Sequence, residues 1–117
     1  MAKNAAPAER ADRLANDTGQ IVFPEDNKPW TDGNNTWTSY GFENPGASSR
    51  KAWVSNASTG EILQEGTAVP PPPHNPPYQW AFTFNDLVLG APVFVTVQFT
   101  FPDGNFDKEH VYCKVAS

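Results

Sequence analysis

The segment Ala91–Val115 constrains the fold most, because it reads as two long strands joined by a short turn. Val and Phe at the odd positions from Val93 to Phe101 alternate with a mostly polar set that includes Thr96. This is the period-2 pattern of a strand with one buried face. The turn lies at residues 101–106, FPDGNF, and its Asp-Gly-Asn core is typical of a hairpin. The hairpin predicts an all-β domain with Thr96 on the outer side. The predicted inward side chains are Val95, Val97, Phe99, Val111 and Cys113.

Short aromatic and β-branched runs recur between turn signals along the rest of the chain. They are bounded by Gly, Asn and Pro clusters, and PEDNKPW at residues 24–30 reads as a loop. About seven short strands with turn signals between them predict an antiparallel sandwich. The further predicted strands cover residues 20–23, 36–42, 50–55, 61–64 and 78–84.

The first nineteen residues differ from the remainder in composition. They are small and polar, and residues 7–15 could form a short helix that begins near Pro7. The sequence therefore divides into an N-terminal arm, residues 1–19, and one sandwich, residues 20–117. The arm has no apolar core of the kind that a Sec signal peptide needs. Two readings stay open for it, a flexible segment and a segment that orders on a partner.

Charge and hydropathy argue against two classes of partner. The formal net charge is −5, and the eight Lys and Arg residues are scattered. Phosphate backbones and anionic membrane surfaces need clustered cations, so neither nucleic acid nor a membrane is expected as a partner. The sequence contains no run of about 18 apolar residues, so no transmembrane helix is expected.

No constellation of residues predicts catalysis or a cofactor. Cys113 shares the inward side with Val111 whereas His110 points outward, so the pair does not suit a nucleophile and its base. Asp103-x-Asn105-x-Asp107 copies half of a calcium loop, but Lys replaces the Gly and the Glu that such a loop needs. We therefore expect no catalytic residue, no metal and no cofactor.

Two features of the sequence could serve recognition. Trp30, Trp37 and Tyr40 flank a Gly-Asn turn and could form an exposed platform for sugar rings, although a small sandwich also needs aromatic residues in its core. The proline run from Val69 to Tyr78 favours a stiff connector between the two sheets. The alternative is a ligand for an aromatic groove on another protein.

The C-terminal part of the chain resembles bacterial and phage immunoglobulin-like domains in their last three strands. The resemblance covers residues 78–117 and implies an immunoglobulin-like sandwich without the paired cysteines of antibody domains. Phage capsid decoration proteins are similar in size and often have this fold. The motifs that carry it are Trp80-x-Phe82-x-Phe84, Leu87, Gly90, Val93-x-Val95-x-Val97, Asp103-Gly104-Asn105 and Val111-x-Cys113-x-Val115.

The resulting expectation is a non-enzymatic structural or binding module. The resemblance implies a protein of a particle surface, a capsid decoration protein of a phage, which would place the chain in the virion. Its partner would then be a capsid or other protein, and a homo-oligomer stays open. The alternative is a carbohydrate-binding or adhesion module that uses Trp30, Trp37 and Tyr40. Outside a virion, the chain would be cytoplasmic or released without a Sec signal.

Overall fold

A computed structural model describes residues 17–117, and all regular secondary structure within them is β. No helix there is long and apolar enough to cross a bilayer. The strands are β1 (Thr18–Phe23), β2 (Lys28–Thr31), β3 (Thr36–Asn44), β4 (Ser49–Asn56), β5 (Ile62–Glu65), β6 (Thr67–Ala68), β7 (Trp80–Asn85), β8 (Pro92–Thr100) and β9 (Phe106–Ala116).

The strands form two sheets that face each other across one core. The five-stranded sheet has the order β2-β9-β8-β4-β5, and the four-stranded sheet has the order β1-β3-β7-β6. The predicted all-β sandwich is therefore confirmed. Neighbouring strands run antiparallel with one exception within the described range, since β2 lies parallel to β9 with Trp30 beside Val115.

The long hairpin is present at the centre of the five-stranded sheet. β8 and β9 pair from Thr100 opposite Phe106 to Pro92 opposite Lys114. In the turn, the Asp103 carboxylate accepts a hydrogen bond of 3.0 Å from the Asn105 N–H. The inward prediction is confirmed for Val95, Val97, Phe99 and Cys113, which are fully buried, whereas Val111 is half-buried.

Three tryptophans lie in the core, and each uses its indole N–H within the protein. Trp30 donates to the Thr38 carbonyl at 3.0 Å, and Trp80 donates to the Phe42 carbonyl at 3.1 Å. Trp37 donates to the Trp30 carbonyl at 3.1 Å and to the Ala116 carbonyl at 2.9 Å. A buried indole needs such a partner, because an unmatched donor in an apolar environment is costly.

Two predicted boundaries near the N-terminus are wrong. The presumed loop at residues 24–30 contains strand β2, whose Lys28–Trp30 segment pairs with the end of β9, a non-local contact that local turn signals do not reveal. Strand β1 begins at Thr18, so the last two residues of the predicted arm belong to the sandwich. The predicted helix at residues 7–15 lies outside the described residues.

The proline run does not connect the two sheets. It joins β6 to β7, which are neighbours in the four-stranded sheet, whereas the chain passes from one sheet to the other at Gly66, between β5 and β6. Gly66 lies against the Phe84 ring, and an added Cβ would come within 2.9 Å of it. The crossing is possible because glycine lets the backbone approach that ring.

Candidate ligand groove on the five-stranded sheet

The platform predicted from the sequence is not exposed at two of its three positions. Trp30 and Trp37 expose 0% and 2% of their surface, so the prediction that they can stack on a ligand is wrong. The core takes them because they lie on the inward side of β2 and β3. Tyr40 has the opposite parity on β3 and lies half-buried on the outer face of the four-stranded sheet.

The chain itself covers the surface around Tyr40. The Tyr40 ring packs against Phe23 at 5.3 Å and against Tyr78 at 4.6 Å between ring centroids. His74, from the proline run, stacks on Tyr78 at 4.2 Å, and its Nδ1 lies 2.7 Å from the Pro76 carbonyl oxygen. Burial, and then the neighbouring Tyr78, raise the pKa of Tyr40. This outer face is thus already covered by its own proline segment.

The outer face of the five-stranded sheet is organised differently. Its central strands β4, β8 and β9 align their outward side chains in cross-strand rows, with neighbouring strands about 5 Å apart. The rows are Lys51, Gln98 and Lys108, then Trp53, Thr96 and His110, then Ser55, Phe94 and Tyr112.

A shallow groove of about 530 Å³ lies over these rows. Phe94 forms its aromatic floor, with the His110 and Tyr112 rings edge-on to it at 5.3 and 5.8 Å. Trp53 also borders a second depression of about 460 Å³ towards β5, so the two depressions meet at its ring. The groove is lined by Trp53, Ser55, Phe94, Thr96, Lys108 and His110.

Two buried hydroxyl groups in this groove have no hydrogen-bond partner among residues 17–117. Ser55 and Thr96 expose 8% and 9% of their surface, and neither side chain has a hydrogen-bond partner among residues 17–117. The two other buried polar residues among residues 17–117 both have hydrogen-bond partners. Ser39 donates to the Phe23 carbonyl at 2.9 Å, and Glu43 accepts from Arg50 Nε at 2.6 Å. Buried polar groups are normally paired, so the partner of these two hydroxyls lies outside residues 17–117.

Trp53 differs from the other tryptophans in the same way. Its indole N–H has no acceptor within the described part of the chain, whereas the three core indoles are all paired. The groove therefore offers one indole donor, two hydroxyls and an aromatic floor within three adjacent strands. These groups can hydrogen-bond a polar ligand while its apolar face rests on the rings.

The earlier candidates for chemistry lie elsewhere. Cys113 is fully buried, and burial raises the pKa of its thiol to about 12, with a smaller contribution from Asp26. Such a thiol is unreactive at neutral pH. The half calcium loop is a hairpin turn, and residues 17–117 contain no group of three or more His, Cys, Asp or Glu that could hold a metal ion. Thr96, expected to face solvent, is nearly buried because Trp53 and His110 flank it in its row.

Local sequence reasoning missed this groove for a physical reason. Trp53 and Ser55 are two residues apart on β4 and therefore point to the same side of the sheet. The same holds for Phe94 and Thr96 on β8, so the sequence alone identifies each pair as side chains of one face. Only the pairing of β4 with β8 brings the two sets together, and no motif in the chain specifies that pairing.

Comparison with known proteins supports the fold and nothing finer. No family model matches the sequence, and no curated protein matches it. The structure is similar to the crystal structure of CopC from Methylosinus trichosporium OB3b, with a TM-score of 0.53 and 12% sequence identity. The match covers 85% of this chain and 94% of that chain, which is consistent with a β-sandwich.

Proposed function

We propose that the protein is a non-enzymatic binding module that holds a sugar ring in the groove on its five-stranded sheet. The observation that carries the proposal is the pair of buried hydroxyls of Ser55 and Thr96 beside the indole N–H of Trp53, none of which has a hydrogen-bond partner among residues 17–117. A ligand that supplies hydroxyl groups would satisfy all three.

The shape and chemistry of the groove suit a sugar better than an apolar ligand. A pyranose ring has a hydroxyl-bearing rim and C–H faces, and the C–H faces pack on aromatic rings such as Phe94 and Trp53. Its volume of about 530 Å³ lies within the usual range for small-molecule sites. The sequence alternative of carbohydrate binding is thus kept but moved from Trp30 and Trp37 to Trp53.

The lining of the groove supports binding without catalysis. Glycoside hydrolysis needs two carboxylates across the scissile bond, and no Asp or Glu lines the groove. The titratable side chains in the lining are Lys108 and His110, and the His110 ring lies edge-on to Phe94 without a carboxylate to orient it within the described residues.

A glycan array on purified protein tests this function. We expect saturable binding that Trp53→Ala abolishes, because the variant loses both the stacking surface and the indole donor. His74→Ala is the control, since it removes a ring from the covered face and should leave binding unchanged. Binding that persists in Trp53→Ala, or an array without any signal, would contradict the proposal.

A second candidate is the particle-surface protein suggested by the phage immunoglobulin-like resemblance. It is favoured by Val88 and Leu89, which are adjacent in the β7–β8 loop and expose 73% and 59% of their surface. Neighbouring apolar side chains at a loop tip suit a protein contact. Its partner would be a capsid or a second copy of the chain, and its location would be the virion.

Co-sedimentation separates the two candidates. A particle protein should sediment with purified virions in high salt and in excess free sugar, and the double variant Val88→Ser, Leu89→Ser should release it. Release by Trp53→Ala instead would assign attachment to the groove. Sedimentation of the protein alone gives its oligomeric state.

A further inference from the structure

Positive charge is concentrated on the same face as the groove. The chain has eight Lys and Arg residues, of which three precede residue 17. Of the remaining five, three are outward residues of the five-stranded sheet, namely Lys51, Lys108 and Lys114. The outward positions of β4, β8 and β9 include no Asp or Glu, although the whole chain has a net charge of −5.

Strand β9 sorts its charges by parity. Lys108, His110 and Lys114 point outward, whereas Asp107 and Glu109 have the inward parity and face β1, where the Gly19 N–H donates to Asp107 at 2.8 Å. The carboxylates nearest in sequence to the groove cations are therefore turned away from them.

The lysines beside the groove form no ion pair with an acid of residues 17–117. Lys51 and Lys108 lie on either side of Gln98, about 10 Å apart by the spacing of three adjacent strands. The salt bridge in the described chain is that of Arg50, next to Lys51, with Glu43 on the inner side. Two cations that frame one amide leave room for an anionic group between them.

Two acids lie at the rim and do not fill this space. Glu65 pairs with Trp53 from the exposed edge strand β5 and lines the second depression together with Lys51, but the two form no salt bridge. Asp26 accepts a hydrogen bond of 2.9 Å from the Tyr112 N–H, so its carboxylate has a backbone partner.

We propose that the groove selects acidic sugars, with the carboxylate or sulfate of the sugar held between Lys51 and Lys108 while the ring rests on Phe94 and Trp53. This inference rests on the proposed function and names its ligand class. A nucleic acid would also offer anions and rings, but three lysines on a chain of net charge −5 are a weak phosphate site, and a nucleic acid does not need the Ser55 and Thr96 hydroxyls.

The experiment compares matched anionic and neutral polysaccharides by affinity electrophoresis and calorimetry. Polygalacturonate and its fully methyl-esterified form differ only at the carboxyl group, which is charged in one and a neutral methyl ester in the other. Dextran sulfate and dextran separate sulfate from carboxylate as the source of the anion. We expect the anionic member of at least one pair to bind about tenfold more tightly at low salt, because it adds two exposed ion pairs to the contacts of the ring.

The variant Lys51→Gln, Lys108→Gln should abolish this preference, so that it binds the two polymers of a pair with equal affinity. Lys28→Gln, an exposed lysine on the opposite edge strand β2, is the matched control and should behave as the unmodified chain. Added salt should weaken binding of the anionic polymer but not binding of the neutral polymer.

Each remaining outcome overturns a definite claim. Equal affinity for both members of each pair would overturn the acidic-sugar inference and leave the sugar-binding proposal standing. Binding of neither member would remove both. Displacement of the sugar by oligothymidylate at a lower concentration than by polygalacturonate would assign the groove to single-stranded nucleic acid and overturn the inference.

Discussion

Both outer faces of the sandwich carry aromatic residues, but the chain covers these residues on the four-stranded sheet and leaves them uncovered on the five-stranded sheet within residues 17–117. On the four-stranded sheet, Tyr40 lies beneath Tyr78 and His74, which the proline-rich connection supplies. On the five-stranded sheet, Trp53 and Phe94 have no such cover within residues 17–117, and Ser55 and Thr96 beside them lack partners.

This difference indicates which surface is free for a ligand. The covered face has stacked rings and a histidine hydrogen-bonded within its own segment, so covering it contributes to stability. The uncovered face has polar groups that residues 17–117 leave without hydrogen-bond partners. Such groups persist in functional sites, where a ligand supplies the partner.

The largest expected effect separates the inside of β8 from its outside. Val97→Asp should prevent folding, because it buries an unpaired charge at a fully buried position, at a cost of at least about 4 kcal/mol. Gln98→Asp, the next residue and outward, should cost less than about 1 kcal/mol. Urea titration followed by tryptophan fluorescence measures both. Equal losses of unfolding free energy for the two variants would mean that the outward side of β8 is buried in the folded protein.

The next effect compares one ring from each face. Tyr78→Ala should lower the free energy of unfolding by about 2 kcal/mol, since Tyr78 packs against the rings of Tyr40, Phe42 and His74. Trp53→Ala should cost about half as much and remove binding instead. If Trp53→Ala proves the more destabilising variant, Trp53 is a structural residue and the comparison of the faces fails.

A smaller effect concerns the inward carboxylates of β9. Burial first, and then the hydrogen bond and charge of Asp107, raise the pKa of Glu109 from 4.5 to about 7. A carboxyl group with a raised pKa favours the fold while it is protonated, so its contribution is fully present below pH 4.5 and is lost as the pH rises to about 7. Partial exposure limits the loss to about 1–2 kcal/mol.

Glu109→Gln should therefore flatten the pH dependence of stability in that window without changing sugar binding. Urea titrations at pH 4.5 and pH 8 measure the difference between variant and unmodified protein, with the exposed Glu61→Gln as control. A variant whose pH profile parallels that of the unmodified chain would show that Glu109 is solvated in the folded state.

The sequence was sufficient for the hairpin and for the class of fold. Alternation from Val93 to Phe101 is a local signal, and burial of the odd positions follows from it directly. The same reasoning misplaced Trp30, because its burial depends on the parallel pairing of β2 with Val115, more than 80 residues away. The groove likewise depends on the pairing of β4, β8 and β9. Hydrophobic alternation in the sequence identifies which side chains of a strand face outward. Which strands are neighbours, and hence which outward side chains lie next to each other, depends on the sheet topology.

The smallest stability effect is expected at Thr96. Replacing its hydroxyl by a methyl group removes a buried, unpartnered polar atom, so Thr96→Val should be neutral or stabilise by up to about 1 kcal/mol. Thr83→Val, a half-buried threonine of β7, is the matched control. A loss of more than 1 kcal/mol for Thr96→Val would reveal a hydrogen bond within the protein.

We propose that the Ser55 and Thr96 hydroxyls of the uncovered face bind the ligand. The sugar affinity of the double variant Ser55→Ala, Thr96→Val measures their contribution. The variant removes both hydroxyls and leaves Trp53 and the lysines in place. We predict an affinity about tenfold lower or more strongly reduced, and at least about fivefold lower, at undiminished stability, with Thr83→Val unchanged, since each lost hydrogen bond contributes about 0.5–1.5 kcal/mol. Unchanged affinity in a folded double variant would contradict the account.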